Sequence, residues 1–265
     1  MTNKNNKGAQ DNLLLRPIAY IQNGFDEKFG IPRQSGLAQV RSEIRFVPEF
    51  RDSNAVRGIE GFNYLWLIWC FSGNMKTSSA QLSSNSNPDS REFSFLESGT
   101  FRPTVRPPRL GGNTHMGVFA TRASFRPNGL ALSSVKLIGV DLDAEDAPIL
   151  YVEGADLMDG TPIYDIKPYI PFADSHTDAI GGFTDEYSDG EYRLDVEWSE
   201  QALTDLSGIF TDQDHMQSEL TSILSEDPRP SYQDDPERIY GMNYAGANIR
   251  FRVSGKHLMV LSLQK

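Results

Sequence analysis

Short apolar runs recur through the first two-thirds of this chain, and most are too brief to make a helix. They are Ile18 to Ile21, Ile44 to Val47, Tyr64 to Phe71, Met116 to Thr121, Ser134 to Leu142 and Ile149 to Val152, each bounded by Gly, Pro, Asn or Asp. Strands of this length separated by turn signals predict an antiparallel barrel or sandwich. The run Leu65-Trp-Leu-Ile-Trp-Cys-Phe71 is apolar on both faces, so it reads as a central strand.

Beyond Pro171 the pattern changes. Leu194-Asp-Val-Glu-Trp198 alternates as a strand. Leu203, Leu206, Ile209 and Phe210, then Leu220, Ile223 and Leu224, fall at helical spacing, and Asp227-Pro228 stops the second helix. Asn248 to Val253 and His257 to Leu263, joined across Ser254-Gly255, predict a closing hairpin. The organisation expected is a disordered tail over 1–12, a main domain over 13–171 and a smaller α+β domain over 172–265. Within the main domain, the Ser/Asn-rich stretch 74–100 cannot offset its ordering cost with apolar burial, and reads as a mobile insertion.

The 265 residues carry a formal net charge of -11, which argues against general coating of nucleic acid while leaving room for RNA held by one local basic patch. Carboxylates crowd from Asp174 to Glu237, as expected of a solvated face. Cys70 is the only cysteine, so no intramolecular disulfide and no cysteine zinc site can form, and its apolar neighbours mark it as a buried hydrophobe. The polar N-terminus has no apolar signal region and no segment reads as a membrane span, so the cytoplasm is the expected compartment.

Against that acidic background one segment stands apart. Arg102, Arg106, Arg109, Arg122 and Arg126 occupy a window without a single acidic residue, interleaved with Pro and paired Gly. Arginine, unlike lysine, grips carboxylate or phosphate through a planar fork, and proline limits the backbone that carries it. The segment therefore reads as a built site for an anionic ligand. No Gly-x-Gly-x-x-Gly follows a strand, and no Walker loop, His-Glu-x-x-His or Gly-x-Ser-x-Gly is present. The four histidines are scattered and predict no metal site. Asp156-Leu-Met-Asp159-Gly160 predicts a tight turn with carboxylates bonded to backbone N–H groups.

A series of longer strings occurs in one order: Ile31-Pro-Arg-Gln34, Ala55 to Glu60, Arg102 to Gly112, Gly117 to Arg122, Phe125-Arg-Pro-Asn128, Asp159-Gly-Thr-Pro162 with Asp165 to Tyr169, and Asp227-Pro-Arg-Pro230. In wording and order they resemble the TsaA-like (TrmO) family of tRNA methyltransferases. The resemblance implies a mainly β fold: an antiparallel β-barrel N-terminal domain with the smaller α+β domain behind it. It also implies S-adenosyl-L-methionine as methyl donor, a homodimer, and methyl transfer to N6 of threonylcarbamoyladenosine beside the tRNA anticodon. By the matching motifs, Pro32, Arg33, Gln34, Arg122, Asp156 and Leu157 would hold the donor, with Leu132 at the family's aliphatic position. Two departures border that site. Ser72-Gly73 stands where the family usually has His-Gln, and Gly129-Leu130-Ala131 where it usually has Pro-Ile-Gly.

Residue chemistry adds roles to that outline. Arg106, Arg109 and Arg126 would meet tRNA phosphates or the threonyl carboxylate, and Arg229 and Tyr232 would extend the RNA surface. Asp156 would either accept from the donor or serve only as a turn residue. No side chain is singled out as general base, and substrate-assisted deprotonation stands beside Asp159 as an option. A non-catalytic module binding S-adenosylmethionine or tRNA is the alternative, and the two departures favour it. Aromatic residues such as Tyr20, Trp66 and Trp69 are assigned to the core.

Overall fold

A computed structural model describes residues 15–71, 102–107, 114–187, 190, 192–230, 233 and 235–265. The expected tail and the 74–100 insertion lie outside them. Strand β1 (Ala19–Gln22), β2 (Arg41–Phe46) and β3 (Tyr64–Cys70) are followed by two short strands, β4 (Thr104–Val105) and β5 (Met116–Gly117). Then come β6 (Leu130–Asp141), β7 (Ile149–Glu153), β8 (Pro162–Pro168) and a helical turn α1 (Pro171–Asp174). Six strands close into a barrel in the order β1-β2-β7-β6-β3-β8, every pair antiparallel. Closure leaves no exposed edge, and the period-two alternation turns one face inward. Ile21, Ile44, Leu65, Leu67, Leu150, Val152 and Ile163 fill the interior.

Strand β3 is central, as its two apolar faces require: β6 and β8 flank it. Leu65, Leu67 and Trp69 point into the core, while Trp66 is covered by Tyr169 and donates its indole N–H to Asp174 at 2.9 Å. The run Met116 to Thr121 is not a barrel strand. Only Met116–Gly117 pair, with β4, and Val118–Ala120 turn as a 3₁₀ helix in which Val118 alone is buried. The sequence pattern does not predict strand β8, because prolines at both ends and Asp165 and Lys167 disguise it.

The second unit contains β9 (Asp195–Trp198), α2 (Glu200–Ile209), α3 (Gln213–Ser225), β10 (Ile239–Tyr244), β11 (Ala247–Ser254) and β12 (His257–Gln264). Its sheet runs β10-β11-β12-β9, with β12 and β9 parallel. Ser199 and Asp212 cap the two helices, each side chain accepting a backbone N–H of the first turn. Leu206, Leu220, Ile223 and Leu224 pack against Ile249, Phe251 and Leu258. This core also draws Phe25, Ala38 and Val40 from the β1–β2 connection, so the two units interlock through that loop.

Candidate functional site

A cavity of about 730 Å³ opens beside the barrel, between β3, the start of β6, the β1–β2 loop and the segment around Arg122. Its volume is in the range of pockets that take drug-sized molecules. The loop brings Pro32, Arg33 and Gln34 to one wall, with Pro32 buried. Arg122 Nη1 donates to Gln34 Oε1 at 2.6 Å, and Gln34 Nε2 donates to the Arg33 carbonyl at 2.5 Å, which joins the loop to the arginine segment. Leu132, 52% exposed, lies on the facing strand, and Leu130 and Ala131 line the same wall.

Asp156 lines the cavity from the turn after β7. Its Oδ1 accepts the Ser133 hydroxyl at 2.5 Å, and Ser133 Oγ in turn accepts the Trp69 indole N–H at 2.9 Å. Loss of water around the carboxyl pushes its pKa up from 3.8; the Ser133 bond and the charge of Arg122 oppose that rise. A carboxyl in this setting gains most from a ligand that brings a cation or hydroxyl donors.

Gly129 explains one departure in the cavity wall. It adopts φ +58 and its N–H donates to the Arg126 carbonyl at 3.0 Å, closing a turn. Proline, with φ near −65° and no N–H, can do neither, so the turn seen here excludes proline at this position. The counterpart, Ser72-Gly73, lies outside the described residues.

The remaining expected site residues divide. Arg126 lines the cavity, donates to the carbonyls of Val118 (3.3 Å) and Thr121 (2.7 Å), and lies 5.6 Å above the Phe119 ring. Its Nη1 thus braces the 3₁₀ turn. Leu157 does not line the cavity: its side chain is fully buried in the barrel core, and its carbonyl accepts from Asn23 at 3.0 Å. Arg106 is exposed away from the cavity, with Nε on His115 at 3.1 Å. Arg229 is 8% exposed, and its guanidinium grips the Asp227 carboxylate at 2.9 and 3.0 Å. A side chain so buried and paired does not extend an RNA surface; the acid two residues away claims it. Arg109 and Tyr232 lie outside the described residues. Asp159 accepts the Asn23 N–H at 3.0 Å and serves the turn.

Sequence reasoning missed Trp69, Ser133, Phe119 and Lys28 as cavity residues. The clue lay in Trp69, since a buried indole N–H requires an acceptor, and β6 offers a serine nearby. Among the described residues no three His, Cys, Asp or Glu gather as a metal site, and no helix is long and apolar enough to cross a membrane.

The model for the tRNA-methyltransferase O N-terminal domain matches residues 20–175, and that for the TrmO C-terminal domain matches 191–265. The chain belongs to the tRNA-methyltransferase O family. It is similar to the tRNA (adenine(37)-N6)-methyltransferase of Escherichia coli K12, 34% identical over 250 residues, 93% of this chain and 96% of that one. A putative S-adenosylmethionine-dependent methyltransferase, RcsF of Pseudomonas aeruginosa, is 40% identical over 231 residues, covering 86% of this chain and 87% of the other. A crystal structure of TrmO from Pseudomonas aeruginosa superposes with a TM-score of 0.68 at 29% identity, covering 96% of this chain and 100% of that one.

Proposed function

We propose that this TrmO-family chain is an S-adenosylmethionine-dependent tRNA methyltransferase acting on N6 of adenine 37, with threonylcarbamoyladenosine as the base it modifies. One observation carries the reading. A single cavity gathers Pro32, Arg33, Gln34, Arg122, Leu132 and Asp156, residues far apart in sequence that lie on the family's motifs. The lining suits the donor. Asp156 offers a desolvated carboxyl to hydroxyl or amino groups, Arg33 and Arg122 line the same cavity as cations able to meet the donor's carboxylate, and Ile31, Trp69 and Leu130 offer apolar surface to a base.

The bound donor supplies an electrophilic methyl group on a sulfonium. The chain's part is to position and to hold charge. The Trp69–Ser133–Asp156 series keeps one carboxylate oxygen fixed, so little reorientation accompanies binding. The Arg122–Gln34 bond joins the two segments that form the rim. Alignment of the acceptor nitrogen with the methyl is then a matter of placement, which alone can supply much of the acceleration. Adenine N6 is a poor nucleophile because its lone pair is delocalised. A threonylcarbamoyl group makes that N–H part of a ureido system and more acidic; the proton passes to the substrate's own threonyl carboxylate or to water, and a cationic rim stabilises the resulting anion.

The acting form is a homodimer in the cytoplasm; the apolar Leu132 and Phe119, 52% and 67% exposed at the cavity, support a second copy nearby. Sedimentation of the protein with and without donor checks this. For the activity, S-adenosylmethionine at ~100 times its Kd should stabilise the fold by about 2.7 kcal/mol. Nucleoside mass spectrometry of tRNA incubated with protein and donor should then show methylated threonylcarbamoyladenosine. Equal methylation of unmodified adenosine would refute the ureido argument. The wall rebuilt at Gly129-Leu130-Ala131 favours a second reading, a binding module that takes the donor without transferring methyl; a thermal shift with no product would establish it.

A further inference from the structure

The loop that carries Pro32, Arg33 and Gln34 is held at both ends by the second unit. At its start the Gly24 carbonyl accepts the Ala245 N–H (2.8 Å), Asp26 accepts the Gly246 N–H (3.0 Å) and Glu27 accepts the Asn243 N–H (2.8 Å). Phe25 is fully buried, edge-on to Tyr244 with ring centroids 5.1 Å apart. The approach is so close that a Cβ on Gly24 would sit 2.5 Å from Tyr244 Cζ. At the loop's end two side chains of α3 reach its backbone: Gln39 N–H donates to Ser222 Oγ at 2.8 Å, and Arg41 N–H donates to Glu219 Oε2 at 3.0 Å.

Glu219 is 5% exposed and satisfied from several sides. Tyr244 donates its hydroxyl to Oε1, and His215 Nε2 lies 3.3 Å from Oε2. A carboxylate this deep is expensive, and an apolar side chain would serve a packing role better. What the carboxylate adds is a directed grip on one main-chain N–H. The same stretch of loop bonds on its other side to the turn that bears Asp156: Gly36 N–H donates to the Gly154 carbonyl (2.8 Å), and Gly154 N–H to that of Val40 (2.9 Å). Residues 36–41 therefore lie between helix α3 and the Asp156 turn, and continue directly from Arg33-Gln34.

We infer that Glu219, with Tyr244 and Ser222, is a positioning residue through which the second unit sets both walls of the donor cavity at once. The inference rests on the reading of that cavity as the donor site. It is tested on the full chain by titration calorimetry with S-adenosylmethionine, alongside thermal unfolding, for Glu219→Gln, Tyr244→Phe and Ser222→Ala. Thr221→Val is the comparison, because it removes the Trp198–Thr221 bond (2.9 Å) on the same helix without touching the loop. Glu219→Gln should weaken donor binding about tenfold, or about 1.4 kcal/mol. Tyr244→Phe should follow in the same direction, the Michaelis constant for donor rising while that for tRNA stays put. Thr221→Val should lose stability and bind donor normally. Should Glu219→Gln fail to fold, Tyr244→Phe and Ser222→Ala carry the same comparison. Normal donor affinity in the loop-contacting variants, or an equal loss in Thr221→Val, overturns the inference. Wild-type protein that takes up no donor overturns the donor reading of the cavity and this inference with it.

Discussion

Asp156→Asn separates binding from stability in a way that few positions allow. The carboxyl is held by Ser133 at 2.5 Å and its pKa is raised, chiefly by lost hydration. For an acid whose folded value is raised, the extra stability is complete below the unfolded value and is lost as pH rises through the folded value. Above that folded value the ionised group is thus a liability in the free protein. The amide, which still accepts from Ser133, should leave the unfolding temperature unchanged or higher. Donor binding should move the other way, because a charge-assisted hydrogen bond contributes roughly 1.5–3 kcal/mol. At ~1.4 kcal/mol per decade, the donor Kd should rise roughly 10- to 150-fold. The pH profile sharpens the test. A ligand bringing positive charge prefers the carboxylate, so wild-type affinity should climb as pH passes the raised value and then level off. The variant should show no such climb. Calorimetric titration with S-adenosylmethionine over a pH series that starts near the ordinary aspartate value and runs upward reads that climb. Equal affinity in the two proteins, or the same pH slope in the variant, would refute a donor contact at Asp156 and leave it a turn residue.

Arg229→Ala should destabilise the second unit by roughly 2–3 kcal/mol, less than a fully buried pair because Asp227 is partly exposed, and chemical denaturation measures it. Arg106→Ala should leave stability and donor affinity unchanged; if Arg106 meets a phosphate, the salt dependence of tRNA binding flattens by about one charge. Cys70 is buried and its thiol is pushed up to about 12 by desolvation, so an aromatic disulfide reagent near pH ~8 should react only as fast as the barrel unfolds. Prompt labelling of the native protein would show β3 to be less enclosed than described.

What the chain reveals before folding follows the reach of each signal. Strands β1, β3, β6 and β7 and both long helices announce themselves because their periodicity is local, and the closing hairpin because Gly255 marks its turn. Strand β10 does not: Ile-Tyr-Gly-Met-Asn-Tyr buries only Tyr240, Met242 and Tyr244, and its outward Gly241 and Asn243 mimic a loop. Within the cavity, Arg33, Gln34, Arg122 and Asp156 are legible because motif strings carry them. Trp69 and Ser133 are not, since their role exists only once β3 and β6 pair. Arg229 shows the converse failure. Prolines on both sides suit an arginine held out toward RNA, and they suit equally an arginine folded back on Asp227; only burial tells the two apart. The interlock of the two units is the least legible feature, because Phe25, Ala38 and Val40 sit among barrel strands in sequence and in the other unit's core in space. Its consequence is mechanical. A loop anchored in one unit and lining a cavity in the other makes the second unit part of the site, so a barrel cut free near residue 172 would keep its closed sheet but lose the support behind Arg33 and Gln34.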